Sequence, residues 1–282
     1  MSAVTTAPAP ARPAATVRLS FAHQLRSEWI KFWTVRSAAW ALSIYFVVTV
    51  ALIVLISLAI VNSGPNDGPP GPDDVLAPYS VASGLGQVAL VVLAALAITG
   101  EYSTGMIRSS LTASPRRTPV IWAKFLVLAV VFLVFSVVAT ALGALLQQLF
   151  FGDDLNLDLS DPQYVRALFG SALYVTTIAL LSFALGALVR QSAAAIAIVL
   201  GVLLVLPLLF QIPWKPLQLM QPFLPGVAGS TITQTDAQVQ AGWDQFADGA
   251  AHLTAWQGYG VLVAYLVVVL AAAIFRLKKS DA

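Results

Sequence analysis

The chain has 282 residues, of which 59% are hydrophobic and only 10% charged, with a net charge of +2 and no cysteine. Because soluble domains carry about 25% charged residues, this composition excludes an ordinary water-soluble fold and indicates an integral membrane protein. The lack of cysteine excludes disulfides and thiolate metal sites, and the small net charge gives no sign of nucleic-acid binding.

The N-terminal 37 residues predict a tail and an amphipathic helix. Residues 1–19 open with MSAVTTAPAPARPAAT, which predicts a disordered cytoplasmic tail. Over residues 20–37, apolar side chains recur at helical spacing, at Phe21, Leu25, Trp29 and Phe32. A basic helix of this kind is suited to lie in the headgroup region of a bilayer. The expected interfacial anchors are Trp29, Lys31, Trp33 and Arg36.

Six later runs are long and apolar enough to cross a bilayer, which takes about 20 residues per helix. They cover about 38–61, 79–99, 120–149, 165–189, 193–211 and 256–275. These spans make up a transmembrane domain of residues 38–276, followed by a cytoplasmic tail of residues 277–282. The predicted fold class is therefore an all-α integral membrane protein with six transmembrane helices and an N-terminal interfacial helix.

The charge distribution predicts the orientation of the spans. With the N-terminus in the cytosol, 13 of the 15 Lys and Arg residues lie on the cytoplasmic side. Ten of the 13 acidic residues then lie in the outer loops. Since positive residues mark the cytoplasmic side, both termini are expected in the cytosol.

The predicted spans contain mild polar residues but no ionisable group near mid-depth. This pattern argues against an ion-coupled carrier and against an intramembrane protease, and the chain has only two histidines. The polar residues either serve helix packing or form a weakly polar translocation seam. The candidates for such a seam are Ser83, Gln87, Ser136, Thr140, Gln147 and Thr177.

The connection between the second and third spans, GEYSTGMIRSSLTASPRR, concentrates charge in a chain with little of it. One interpretation is that its arginines serve only to mark the cytoplasmic side of the membrane. Its G-x-x-x-x-G spacing does not predict a phosphate-binding loop, because Met106 and Ile107 stand where Lys and Ser/Thr would be needed.

Three stretches resemble the permease subunits of type-2 ATP-binding-cassette (ABC) exporters. GEYSTGMIRSSLTASPRRTPVIWAKFL is similar to the family's cytoplasmic connection, with Met106 where Thr is common. LRSEWIKFWTVRSAAWAL resembles the N-terminal segment, and PFLPGVAGSTI resembles the outer segment before the last span. The likeness extends from about Ser20 to Phe275.

The resemblance implies that the connection is the contact with an ATPase. The implied ATPase-coupling residues are Glu101, Tyr102, Thr104, Gly105, Arg108, Pro115, Arg116 and Arg117. The implied partners are two copies of an ABC ATPase, a second permease chain in a homodimer or heterodimer, and the lipid bilayer. The chain is then no enzyme and needs no cofactor of its own, since ATP and Mg are expected on the partner ATPase.

The function predicted from this likeness is export of a hydrophobic or amphipathic substrate, such as a drug, antibiotic, lipid or peptide, across the cytoplasmic membrane. The alternative is a multi-span membrane protein with no ATPase partner, such as an anchor, immunity or stress-protection component. The role of residues 212–255 stays open between a cap on the outer exit and part of a dimer contact.

Overall fold

A computed structural model describes residues 20–62, 72–105, 118–152, 154–210, 212, 214–243, 246 and 249–279. Every regular element in these ranges is helical. Six of the helices are long and apolar enough to cross a membrane, which confirms the predicted all-α class with six membrane-spanning helices.

Ten helices follow one another within the described residues. They are α1 (Phe21–Thr34), α2 (Arg36–Asn62), α3 (Pro72–Ser103), α4 (Thr118–Phe151), α5 (Pro162–Val189), α6 (Ser192–Leu209), α7 (Lys215–Met220), α8 (Pro225–Ser230), α9 (Asp236–Trp243) and α10 (Ala255–Lys279). The membrane-spanning candidates are α2 to α6 and α10.

Helix α5 forms the centre of the bundle. It packs against α3, α4 and α10, and 78% of its most apolar window is buried. By contrast, α2, α6 and α10 have 22%, 17% and 28% of that window buried. Lipid tails are as apolar as a leucine side chain, so an apolar side chain can face them without cost. Outward-facing apolar side chains are therefore expected of helices at the edge of a membrane bundle.

Long-range contacts define the two ends of the bundle. At the end that we name the α1 end, α1 meets the C-terminus of α3 and the N-terminus of α4, and α10 ends beside the turn between α5 and α6. At the opposite end, named the α9 end, Arg166 of α5 binds Asp236 of α9. Both ends of the described chain, Ser20 and Lys279, therefore belong to the α1 end; the expectation that this end faces the cytosol stays a prediction.

Helix α6 is interrupted by a π-helical turn at Gly201–Val205, directly before Pro207. The backbone N–H of Leu206 donates to the carbonyl of Gly201, five residues back. Because proline has no N–H to donate and clashes with the preceding turn, the wider π turn lets the helix pass Pro207 without ending.

The segment between α6 and α10 folds into short helices at the α9 end. Gly258 of α10 lies so close to α8 that a Cβ there would meet the Ala228 carbonyl oxygen at 2.4 Å. A larger residue at position 258 would push α8 and α10 apart, so glycine is required for this packing.

Candidate functional site

Four ionised side chains meet at the α1 end, and we name them the charge cluster: Glu28, Lys31, Glu101 and Lys124. Lys124 Nζ lies 2.5 Å from Glu28 Oε2 and 3.0 Å from Glu101 Oε1. Lys31 Nζ lies 2.8 Å from Glu28 Oε1 and 3.2 Å from Glu101 Oε1. Each lysine therefore bridges the same two carboxylates.

The charge cluster is assembled by three separate helices. Glu28 and Lys31 lie one turn apart on α1, Glu101 lies in the last turn of α3, and Lys124 lies in the second turn of α4. Side-chain exposure is 5% for Glu28, 9% for Glu101 and 10% for Lys124, but 37% for Lys31. Charges this deeply buried persist only when paired, and here two positive and two negative groups balance.

The pKa shifts on α1 follow from the pairing. Burial acts to raise the pKa of Glu28, but attraction and hydrogen bonding to Lys124 and Lys31 outweigh it, and the pKa lies below its ordinary value. Burial acts to lower the pKa of Lys31, but hydrogen bonding and attraction to Glu28 and Glu101 outweigh it, and the pKa is raised. Both groups are therefore held in their charged forms.

A second contact joins the end of α3 to the turn between α5 and α6. The guanidinium of Arg190 lies over the ring of Tyr102, with its carbon 5.2 Å from the ring centroid. Arg190 has a left-handed backbone with φ of 64° and donates its N–H to the Gly186 carbonyl, which ends α5. On α10, Arg276 donates from Nη1 to the Leu188 carbonyl at the same turn.

Helix α3 ends immediately after Glu101 and Tyr102, which make these contacts. The hydroxyl of Thr104 donates to the Gly100 carbonyl, and Gly105 adopts a φ of 71°, which a residue with a side chain rarely takes. The chain thus leaves α3 at the α1 end, one turn from Glu101. Four of the residues predicted to contact an ATPase lie outside the described residues: Arg108, Pro115, Arg116 and Arg117.

The predicted interfacial anchors on α1 divide into two groups. The side chains of Trp29 and Trp33 are 44% and 46% exposed, and Arg36, the first residue of α2, is also exposed. Lys31 instead reaches into the bundle and belongs to the charge cluster. The interfacial position of α1 remains a prediction, although exposed tryptophans agree with it.

The residues predicted to form a translocation seam are all buried between helices: Ser83, Gln87, Ser136, Thr140, Gln147 and Thr177. Gln147 donates to the Val75 carbonyl, and the Thr177 hydroxyl lies 2.9 Å from the Tyr259 hydroxyl. None of the six lines either cavity described below. Such contacts are typical of packing between membrane helices, and a role in translocation stays a prediction.

A cavity opens at each end of the described part of the bundle. The α1 cavity has a volume of about 500 Å³ and lies between α1, α3 and α4, with the charge cluster in its wall. The α9 cavity has about 810 Å³ and lies under α7 to α9, with four glutamines in its wall: Gln218, Gln221, Gln234 and Gln238. Residues 214–243 therefore supply most of the lining of an open cavity at that end.

Sequence patterns did not single out Glu28, and they counted Lys124 only as an orientation signal. One signal was present: Glu28 is one of only three acidic residues predicted on the cytoplasmic side, with Glu101 and Asp281. Within the described residues, no group of His, Asp and Glu is arranged to hold a metal ion.

The six long apolar helices indicate a multi-pass membrane protein. A family model described as ABC-2 family transporter protein matches residues 73–282. The chain therefore belongs to the ABC-2 transporter family, as the resemblance in its connection implied. A comparison with curated proteins gives no match.

Proposed function

We propose that this chain is the permease subunit of an ATP-driven exporter in the cytoplasmic membrane, and that it moves a hydrophobic or amphipathic substrate. Membership of the ABC-2 family supports a membrane component of a transporter. Export, the substrate class and the choice of membrane belong to the proposal. The chain itself performs no catalysis in this scheme and binds no cofactor.

The observation that carries the proposal is the attachment of the α3 end to the other helices at the α1 end. Glu101 binds α1 through Lys31 and α4 through Lys124, while Tyr102 contacts Arg190 between α5 and α6. Residues 104–117 follow directly. A force applied to this connection would therefore reach five helices at once, because closely packed elements move as units.

The expected partners are two ATPase subunits, which hold ATP and Mg, and a second permease chain. Binding of ATP would close the ATPase pair and displace the connection between α3 and α4. The charge cluster would pass that displacement to α1 and α4. A contact at this position requires that the α1 end faces the cytosol, as the distribution of Lys and Arg predicts.

The test is reconstitution of the chain in proteoliposomes with the ATPase that co-purifies with it, measuring ATP turnover and movement of an amphipathic dye. In Glu101→Gln, we expect dye moved per ATP to fall about tenfold while ATP turnover remains, because losing one partner of a buried ion pair costs more than ~1.4 kcal/mol.

The matched control is Asp154→Asn, which removes one carboxylate from an exposed loop at the α9 end. This variant is expected to keep normal coupling. Normal dye movement per ATP in Glu101→Gln would contradict the coupling role of the α3 end. Dye movement by the purified chain without any ATPase would overturn the proposed function as a whole.

A further inference from the structure

The α1 cavity changes from charged to apolar along its length. Along α3 and the residue that follows it, the wall runs from Thr104 and Glu101 at the α1 end to Leu96 and Leu93 deeper in the bundle. The eleven steps from Leu93 to Thr104, at about 1.5 Å each, make this wall about 16 Å long. The cavity is therefore long, with a charged mouth and an apolar interior.

The α4 wall shows the same change in the same direction. On α4, which runs away from the α1 end, Lys124 is followed by Val127 and Leu128. The wall formed by α1 and α2 is mixed, since Thr34 and Ser37 line it together with Val35 and Ala38. Because the α3 and α4 walls agree, the cavity matches a molecule with one polar end and an apolar chain that points toward the middle of the membrane.

The charges at the mouth specify the polar end of that molecule. Both lysines bind Oε1 of Glu101, and Oε2 makes no hydrogen bond with the described residues. Lys31 is the most exposed member of the charge cluster, at 37%, and its ammonium has three N–H donors. The mouth thus offers one ammonium and one carboxylate oxygen to a ligand.

A polar end that carries one positive and one negative charge, and is therefore neutral overall, is the best match for this mouth. The charge cluster sums to zero, so an anionic group alone would leave an uncompensated charge in a partly buried site. A zwitterion keeps the balance if its anion meets Lys31 and its cation meets Glu101. A primary ammonium can also donate a hydrogen bond to Oε2 of Glu101, whereas a trimethylammonium has no N–H.

We propose that the α1 cavity is a binding site for one phosphatidylethanolamine molecule from the adjacent leaflet. Its phosphate lies at Lys31, its ammonium lies at Glu101, and one acyl chain follows Leu96 and Leu93 along α3. The lipid closes the gap between α1 and the α3–α4 pair. This site is independent of the proposed function, because binding needs neither an ATPase nor transport.

The test is native mass spectrometry of the purified full chain, delipidated and then incubated with an equimolar mixture of four lipids with identical chains. The lipids are phosphatidylethanolamine, phosphatidylcholine, phosphatidylglycerol and diacylglycerol. We expect one phosphatidylethanolamine per chain, retained about tenfold over each competitor, as one charge-assisted hydrogen bond permits. Glu101→Gln is expected to remove the preference over phosphatidylcholine.

Two variants fill the cavity without changing any charge. Ala97→Trp places a large ring in it, and Gly100→Leu adds a side chain where an added Cβ meets nothing within 4 Å. Both are expected to lose the retained lipid, while the control Ala51→Trp, on an exposed face of α2, keeps it. If Ala97→Trp does not fold, Gly100→Leu provides the same test.

Three results would overturn the site. The first is equal retention of all four lipids by the unaltered chain, and the second is a preference for phosphatidylglycerol. The third is full retention of phosphatidylethanolamine by a folded cavity-filling variant. Because no ATPase is present in this experiment, its failure leaves the proposed transport function standing. In turn, normal transport coupling in Glu101→Gln would leave the lipid site standing.

Discussion

Lys124 Nζ lies 2.5 Å from Oε2 of Glu28, although 96 residues separate them in the chain. This bond attaches the N-terminal helix α1 to the start of α4. Glu101 contacts the same ammonium group at 3.0 Å, so the two carboxylates share one cation. The stability of the α1 end therefore depends on the complete set of charges.

Replacement of Glu28 by glutamine is expected to lower the unfolding free energy by about 1.5–3 kcal/mol, the usual contribution of a hydrogen bond to a charged group. The loss arises because Lys124 and Lys31 then share the single carboxylate of Glu101. Denaturant titration in mixed micelles measures it. In a double-mutant cycle with Lys124→Met, the combined loss should be smaller than the sum of the single losses. Strict additivity would show that the two groups do not interact.

The effect of Glu28 is expected to depend on pH. Its pKa in the folded chain lies below the ordinary value of 4.5, so its stabilising contribution is present above that value and is lost as the pH falls through the folded pKa. The difference in melting temperature between the unaltered chain and Glu28→Gln should be constant from about pH 6 to 8 and shrink below pH 4.5. A difference that grows in acid would refute this assignment.

The contribution of Lys31 to stability is expected to have the opposite pH dependence, with the loss at alkaline pH. Its pKa in the folded chain lies above the ordinary value of 10.5, so its contribution is complete below that value and is lost as the pH rises through the folded pKa. Melting temperatures of Lys31→Gln and the unaltered chain, measured upward from neutral pH, should therefore converge only above 10.5. Convergence at lower pH would show that its acidic partners do not stabilise the ammonium.

At Arg190, replacement separates a backbone effect from a side-chain effect. A left-handed backbone costs about 1 kcal/mol for a residue with a side chain and nothing for glycine. Arg190→Gly and Arg190→Ala both lose the contact with Tyr102, but only the alanine keeps the backbone cost. The free energy of unfolding should therefore be about 1 kcal/mol lower for the alanine variant than for the glycine variant. Equal stabilities would show that the turn relaxes away from φ of 64°.

Two glycines of α10 offer a matched pair of substitutions. Gly258→Ala places a Cβ at 2.3 Å from Thr231 Oγ1 and 2.4 Å from the Ala228 carbonyl oxygen, whereas Gly260→Ala meets nothing within 4 Å. The first is expected to cost about 1–3 kcal/mol through overpacking, and the second to be neutral or to gain up to about 1 kcal/mol in helix propensity. Melting temperatures in detergent compare them. A stabilised Gly258→Ala would mean that α8 moves freely from α10.

The six spans could be predicted because each apolar run is a local property of the chain. Span two, predicted at about 79–99, lies within a helix that runs from Pro72 to Ser103. The extra turns carry polar residues such as Glu101, whose burial depends on α1 and α4. Hydropathy cannot register that burial, because it is decided by side chains far away in sequence.

The charge cluster could be predicted only in part. Glu101 was expected to matter because it lies in the connection that resembles the family's contact with an ATPase. The partners of Glu101 could not be deduced, since its pairing with Lys31 spans 70 residues and depends on how α1 docks. Lys31 reaches the charge cluster although Ser27 and Thr34, one turn away on either side, are exposed, and the buried residues of α1 are Glu28 and Phe32.

The enclosure of α5 by its neighbours decides which surfaces can meet other molecules. Lipids or a further copy of the chain can reach the broad outward faces of α2, α6 and α10, but the central helix is almost sealed off. Cysteine cross-linking scans should therefore be placed on those three perimeter helices, and a defect produced by a change in α5 will report on the subunit's own interior.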